Sequence, residues 1–322
     1  MYSQIRNISI ACIILVALGG FFQTAIADID ANKALVLRLL EVHNQGNLAV
    51  ADEILATDFV NHDPSRPDVT DLESYKAWVV ANHTAFPDFH VKVHDMIAED
   101  NKVASRWTVT GTHKGEFLNI PPSDNKVTIT GIEIFRLANG KIVEAWWSYD
   151  MLGMMQQLGV IPPMPDTPLP ALNRKPEDYP WSPSSEVTGD PGDPEANKTL
   201  VLREELEGWK QGNVSVILEA IAPNFVNHDP IWPGVTDYKS YKRWVESELD
   251  GPLNITVEDL IAEGDKVVER VTVDIGGEIL ESVMIIHRFA DGKIVERWWS
   301  KDVLGILQQL GVIPTPEQGE EY

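Results

Sequence analysis

Few residues in this sequence are placed for chemistry, and several of them recur. Asn61-His62-Asp63-Pro64 returns as Asn227-His228-Asp229-Pro230, and Trp146-Trp147-Ser148 returns as Trp298-Trp299-Ser300. In an Asn-His-Asp-Pro turn the polar side chains can bond the local backbone, so the turn reads first as structural. His62 stays open as a proton-transfer partner. His90 and His94 share one face of an extended run, but two histidines without a third ligand do not hold a metal, and no metal site is expected. The only cysteine is Cys12, near the N-terminus, which leaves no thiol for disulfides, zinc or nucleophilic catalysis farther on. No glycine-rich phosphate loop, nucleophile elbow or zinc motif occurs, so no cofactor is expected.

The formal charge of -23 is spread along the chain. Such a surface repels phosphate backbones and anionic headgroups, so nucleic acid is not an expected partner. Arg6, the apolar run Ile8 to Phe22 and the small-x-small ending Ala25-Ile26-Ala27 have the pattern of a secretory signal. The run is short for a bilayer span of ~20 residues, although an uncleaved anchor is the other reading. Cleavage after Ala27 predicts a periplasmic or secreted protein with no membrane contact once the signal is removed.

The chain repeats itself. Leu35-Val36-Leu37-Arg38 returns as Leu200 to Arg203, Gln45-Gly46-Asn47 as Gln211 to Asn213, and Phe59 to Pro64 as Phe225 to Pro230. Gly140 to Glu144 returns as Gly292 to Glu296, and Gln156 to Pro162 as Gln308 to Pro314. Matches in the same order over whole segments mean a duplicated domain. The spacing shortens by about a dozen residues between Arg106/Arg136 and Arg270/Arg288, so the second copy lacks Gly111 to Pro122. The resulting division is 1–27 signal, 28–162 first domain, 163–194 proline-rich linker, 195–314 shortened second domain and 315–322 acidic tail.

Elements to position these residues follow from periodicity. Leu35, Leu39 and Val42 fall at helical spacing from Ala31 to Gln45, with Gly46 as a cap. A short helix covers Leu48 to Leu55. A third is capped by Thr70 or Asp71 and runs through His83, with Tyr75, Trp78 and Val79 inward. Strands are predicted over Phe89 to Ala98, Lys102 to Gly111, Lys126 to Leu137 and Lys141 to Ser148, with Asn139-Gly140 as a hairpin turn. A last helix, Asp150 to Leu158, ends at Gly159. Helices followed by an antiparallel sheet make an α+β domain, its curved sheet wrapped on a helix to leave a cone-shaped pocket.

Asp58 to Pro64, Phe86-Pro87-Asp88, Gly111-Thr112-His113-Lys114-Gly115 with Ile120-Pro121-Pro122, Phe135-Arg136, Gly140 to Glu144 and Gln157-Leu158-Gly159 together resemble the SnoaL-like polyketide cyclase family. The resemblance implies two tandem cones of the nuclear-transport-factor-2-like fold. It also implies cofactor-free aldol chemistry by an Asp on the last strand and a His on the strand before it. The matching positions are Trp147 and Glu133 in the first copy, and Trp299 and about Ile285 in the second, so neither copy keeps the pair. The family's inward face would point Trp147 and Trp299 into the pockets and Trp146 and Trp298 outward, where related proteins pair. The expected ligand contacts are Trp147, Trp78, Phe86 and Trp299. Aromatic side chains at such positions equally well fill core and interface.

Glu133 is the acid/base candidate of the first domain, since a carboxyl in an apolar pocket can exchange protons near neutrality; an exposed strand residue is the other reading. His113 and His62 are its candidate partners. Two functions stay open. One is an enzyme acting on a small, largely apolar carbonyl compound or ester, with the second domain a structural or binding partner in an internal pseudo-dimer. The other is a non-catalytic module that binds a small apolar molecule.

Overall fold

The computed structural model describes residues 29–162 and 188–313, apart from 230, 231, 233, 250 and 278. The expected signal, most of the linker and the acidic tail lie outside the described residues. Domain 1 runs α1 (residues 29–37), α2 (Leu39–Gln45), α3 (Leu48–Ile54), β1 (Leu55–His62), α4 (Leu72–Ala85), β2 (His90–Glu99), β3 (Lys102–Thr112), β4 (Lys126–Ala138), β5 (Lys141–Tyr149) and α5 (Met151–Leu158). Domain 2 repeats the order with α6 (Pro194–Arg203), a π-helical turn (Glu204–Trp209), α7 (Val214–Ala220), β6 (Ile221–His228), α8 (Tyr238–Glu248), β7 (Asn254–Glu263), β8 (Lys266–Ile275), β9 (Ile279–Ala290), β10 (Lys293–Lys301) and α9 (Val303–Gln309).

Local signals fix the boundaries. Gly46 ends α2 at φ 65°, and Gly159 ends α5 at φ 85°, conformations that a Cβ would penalise. Asp71 caps α4 in a reciprocal box with Ser74. Asn139 and Gly140 both take positive φ, as a tight hairpin turn requires.

Each sheet has five strands, ordered β1-β5-β4-β3-β2 and β6-β10-β9-β8-β7. The expected all-antiparallel sheet is corrected to a mixed one: β1 and β6 pair in parallel with β5 and β10. Leu55 to His62 follows a helix and leads into the proline turn, so its pattern of two buried residues, Leu55 and Phe59, four positions apart hides a strand. In each domain the helices cover one face of the sheet. The other faces meet across a shared apolar layer that includes Ile97, Ile132 and Ile134 from one sheet and Ile261, Met284 and Trp298 from the other.

The contacts across this layer come in matched pairs. Glu99 accepts from the Ala262 N–H at 2.9 Å and Glu263 from the Ala98 N–H at 2.8 Å. Lys198 reaches Glu99 as Lys33 reaches Glu263. Arg106 lies over the Trp298 ring at 4.4 Å and Arg270 over Trp146 at 4.9 Å. Among the described residues no helix is long and apolar enough to cross a membrane.

Candidate functional site

In domain 1 the concave face of the sheet and helices α1, α2 and α4 enclose a cavity of roughly 980 Å³, part of it in the open mouth. Its walls are largely aromatic and apolar, with Trp78, Phe86, Trp107, Phe117, Trp147 and Met154 among them. Trp147 sits at the centre of an aromatic cluster, its ring 6.2 Å from Trp78, 6.4 Å from Trp107 and 5.8 Å from Phe135. Gly131 makes this possible: a Cβ there would come within 2.4 Å of the Trp107 ring. The segment 113–125, between β3 and β4, folds over the cavity through Phe117 and is tied to the end of α4 by bonds from Lys114 and Gly115 N–H to the Ala85 carbonyl.

Glu133 faces this space from β4, with only 7% of its surface exposed. Directly across on β3, Ser105 donates its hydroxyl to Glu133 Oε1 at 2.5 Å. Burial pushes the carboxyl up to about 8, against the downward pull of Ser105 and the Trp107 indole. The indole N–H of Trp147 is buried without a hydrogen-bond partner, whereas that of Trp107 lies toward Glu133 without reaching full hydrogen-bond geometry. Buried donors without partners are rare. The cavity wall therefore presents a proton-holding carboxyl beside an unpaired indole donor.

A second polar group lines the same cavity. Asp63 accepts from Tyr149 Oη at 3.0 Å and from the Ser65 N–H at 2.9 Å. Burial raises its carboxyl to about 6. Arg66, held by Asp68, places its guanidinium 5.9 Å over Trp78. His43 lines the wall with its ring bonded to Tyr75 Oη at 2.8 Å, and burial lowers it to about 4, so it stays neutral.

The structure brings Glu133, Trp147, Trp78 and Phe86 together in this cavity. It does not bring the two histidines to Glu133. His62 stacks on Trp146 at 5.0 Å and bonds Glu144 at 2.7 Å, on the sheet face opposite the cavity; Asp63, just past the end of β1, lines the cavity instead. His113 is fully buried behind Phe86, stacked on it at 5.2 Å, with Nδ1 against the Ser123 hydroxyl, so it braces the flap and does not line the cavity. Trp299 lies in the core of domain 2, its indole N–H donated to Asn227 and its ring between Arg297 and Lys301. Glu133 faces Trp147 across β4 and β5, and Ile285 faces Trp299 across β9 and β10.

Sequence reasoning missed Ser105, Trp107, Asp63 and Tyr149. The signal for the first two was strand parity, since Ser105 and Trp107 alternate with Arg106 on the strand that pairs with Glu133. Among the described residues no group of three or more His, Cys, Asp or Glu could hold a metal ion.

Comparison with known proteins supports the same fold. The SnoaL-like polyketide cyclase family matches residues 33–158, and the SnoaL-like domain family matches residues 202–297. No curated protein matches the chain. Among solved structures, TsrD from Streptomyces laurentii is 26% identical over 41% of this chain and 97% of its own, with a TM-score of 0.38. IdmH from Streptomyces antibioticus is 31% identical over 40% of this chain and 99% of its own, at 0.37. A SnoaL-like polyketide cyclase from Agrobacterium tumefaciens is 19% identical over 40% of this chain and 98% of its own, at 0.35. With one such domain matched in each half, the chain belongs to the SnoaL-like family as two tandem copies.

Proposed function

We propose that domain 1 binds a small, largely apolar carbonyl compound and exchanges protons with it through Glu133. The observation that carries this reading is the buried Glu133 carboxyl, held by Ser105 in an aromatic-walled cavity and raised to about 8. A group titrating near neutrality can take a proton in one step and return it in the next. As base, Glu133 would remove a proton next to the carbonyl, the C–H electrons would form the enolate double bond, and the charge would go to oxygen. The unpaired indole N–H of Trp147 supplies a donor for that oxygen. The protonated Glu133 then returns the proton to that carbon or, where the enolate carbon has attacked a second carbonyl of the same molecule and its C=O π electrons have gone to oxygen, to the resulting alkoxide. The polyketide-cyclase relatives make ring closure of this type a natural assignment.

The test is Glu133→Gln, read by exchange of cyclohexanone α-protons into deuterated solvent. Loss of roughly 100-fold or more is expected for a general base. Unchanged exchange removes Glu133 from the mechanism. Retained ligand binding with no exchange in either form would favour the binding module, which the aromatic walls also suit.

The organisation of the chain belongs to the same proposal. Residues 1–27 direct export, 28–162 and 195–314 are the domains, and the two sheets act as an internal pseudo-dimer whose reciprocal contacts follow a two-fold rule. N-terminal sequencing of the secreted protein should begin at Asp28. Limited proteolysis should cut first between 163 and 194, and early cutting inside either domain would overturn the division.

A further inference from the structure

The cavity of domain 1 has a second polar end, displaced from Glu133 along the sheet. Glu133 faces Trp147 across β4 and β5, and Gly131 faces Tyr149 two residues farther along both strands. That step is about 7 Å. Tyr149 donates its hydroxyl to Asp63, so the Asp63 carboxyl belongs to this second end. The wall between the two ends is aromatic: the Trp107 ring lies 6.4 Å from Trp147 and 6.2 Å from Tyr149.

Arg66 is the cation here. Consecutive turns fix its backbone, with the Arg66 N–H donated to the Asp63 carbonyl at 3.1 Å and the Val69 N–H to the Arg66 carbonyl at 3.1 Å. Its side chain lines the cavity over Trp78 and is nearly buried. Nε and Nη2 donate to Asp68 at 3.0 and 2.9 Å, whereas Nη1 has no hydrogen-bond partner among the described residues. A guanidinium gripped along one edge keeps its remaining donors for another acceptor. Asp63 is open in the complementary sense. Its Oδ1 accepts from the Ser65 N–H and its Oδ2 from Tyr149, and each oxygen can accept once more.

Domain 2 shows the same position without this capacity. Trp232 and Gly234 stand where domain 1 has Arg66 and Asp68, and Lys301 stands where it has Tyr149. Lys301 pairs with Asp229, the counterpart of Asp63, at 3.3 Å, and Trp232 packs on Trp244 at 6.2 Å. There the carboxylate already has a cation of its own. In domain 1 the cation is turned to Asp68 instead.

The charge balance selects the ligand group. One guanidinium stands among Asp63 and Asp68, and burial chiefly, with Asp302 at the head of α9 adding to it, raises the Asp63 carboxyl. A ligand carboxylate would meet several acids against one cation, so an anion is disfavoured. A hydroxyl suits both neighbours, since it accepts from Nη1 and donates to Asp63.

We propose that Arg66 and Asp63 form a specificity subsite for a neutral hydroxyl, so that the ligand of domain 1 is an apolar ketone with a hydroxyl roughly 7 Å from its carbonyl. The carbonyl end rests on the reading of Glu133 given above. Arg66 decides which ligand is held and takes no part in proton exchange.

The full chain tests this with three cyclohexanones that differ only in the group opposite the carbonyl: hydroxyethyl, propyl or carboxymethyl. Dissociation constants come from titration calorimetry, and α-proton exchange is followed separately in deuterated solvent. The hydroxyethyl ketone should bind about 10-fold more tightly than the propyl ketone, and the carboxymethyl ketone more weakly than the hydroxyethyl one. Arg66→Met should bring the hydroxyethyl-to-propyl ratio close to one. Arg66→Lys keeps the charge but not the fork and should lose most of the preference too, and it decides alone if Arg66→Met does not fold. No binding, equal binding in the wild type, a preference kept in a folded variant, or tightest binding of the carboxymethyl ketone each overturns the subsite. The two readings fail separately. Exchange without a preference removes the subsite and spares Glu133, and a preference without exchange keeps the subsite and removes Glu133.

Discussion

The two domains share a backbone plan and differ in what that plan buries. In domain 1 the layer beneath the cavity is apolar, with Leu39, Phe135 and Ala145 packed around Tyr75. In domain 2 the same layer is an ion-paired network in which Glu204, His287 and Arg297 are each no more than 1% exposed. The outer edge shows a milder form of the same change. His62, Glu144 and Arg136 make a partly exposed triad in domain 1, and His228, Glu296 and Arg288 make the equivalent one with Glu296 fully buried. A duplicated fold therefore tolerates opposite solutions to one packing problem, with the buried arginine of domain 2 meeting carboxylate, phenol and imidazole partners.

The comparison can be broken hardest at Arg297. Arg297→Met strands the Glu204 carboxylate in the core and should cost domain 2 about 3–5 kcal/mol, visible as an early transition in chemical denaturation. A single unshifted transition would mean that the network contributes nothing. Next comes the paired test at the edge. Glu296→Gln should cost several-fold more than Glu144→Gln, which is expected to stay under ~1 kcal/mol, because only the former is fully buried. Equal losses would erase the distinction between the domains.

The pH dependence sharpens the contrast further. Glu133 rises from 4.5 to about 8 on folding, so the folded state holds a proton that the unfolded chain has released between those values. Stability should therefore fall as pH rises from about 4.5 to about 8 and level off above, and Glu133→Gln should flatten its share of the slope in urea titrations. Asp63 adds a smaller decline between about 4 and about 6. Ser105→Ala should cost about 1 kcal/mol in stability, with the base limb of any exchange profile moved to higher pH because a bond favouring ionised Glu133 is gone.

Much of this was legible in the sequence, because turns and caps are local. Gly46, Asp71, Asn139-Gly140 and Gly159 act on their own neighbours, so the helices and hairpins could be placed from them. The inward glutamate of domain 1 was legible through strand spacing from a known turn. The parallel strand β1 was not, because its partner β5 is some 80 residues away and its polar residues look like loop. His62 and His113 were read as partners by residue type, yet a one-residue step decides which sheet face a side chain meets. The network of domain 2 was hidden for another reason: Glu204, Glu205, His287 and Arg297 stand where domain 1 has Leu39, Leu40, Phe135 and Ala145, and only the three-dimensional register shows that they converge.

The π-helical turn Glu204–Trp209 gives that replacement a history. Seven residues separate Arg203 from Gln211 where six separate Arg38 from Gln45. In an uninterrupted helix one extra residue would rotate everything after it by about 100°. The widened turn confines the insertion to a single loop of the helix, and the chain returns to register at Gly212, which takes φ 70° as Gly46 takes 65°. Evolution could thus edit the interior of one copy without disturbing its scaffold, and deleting one residue there is the corresponding route back.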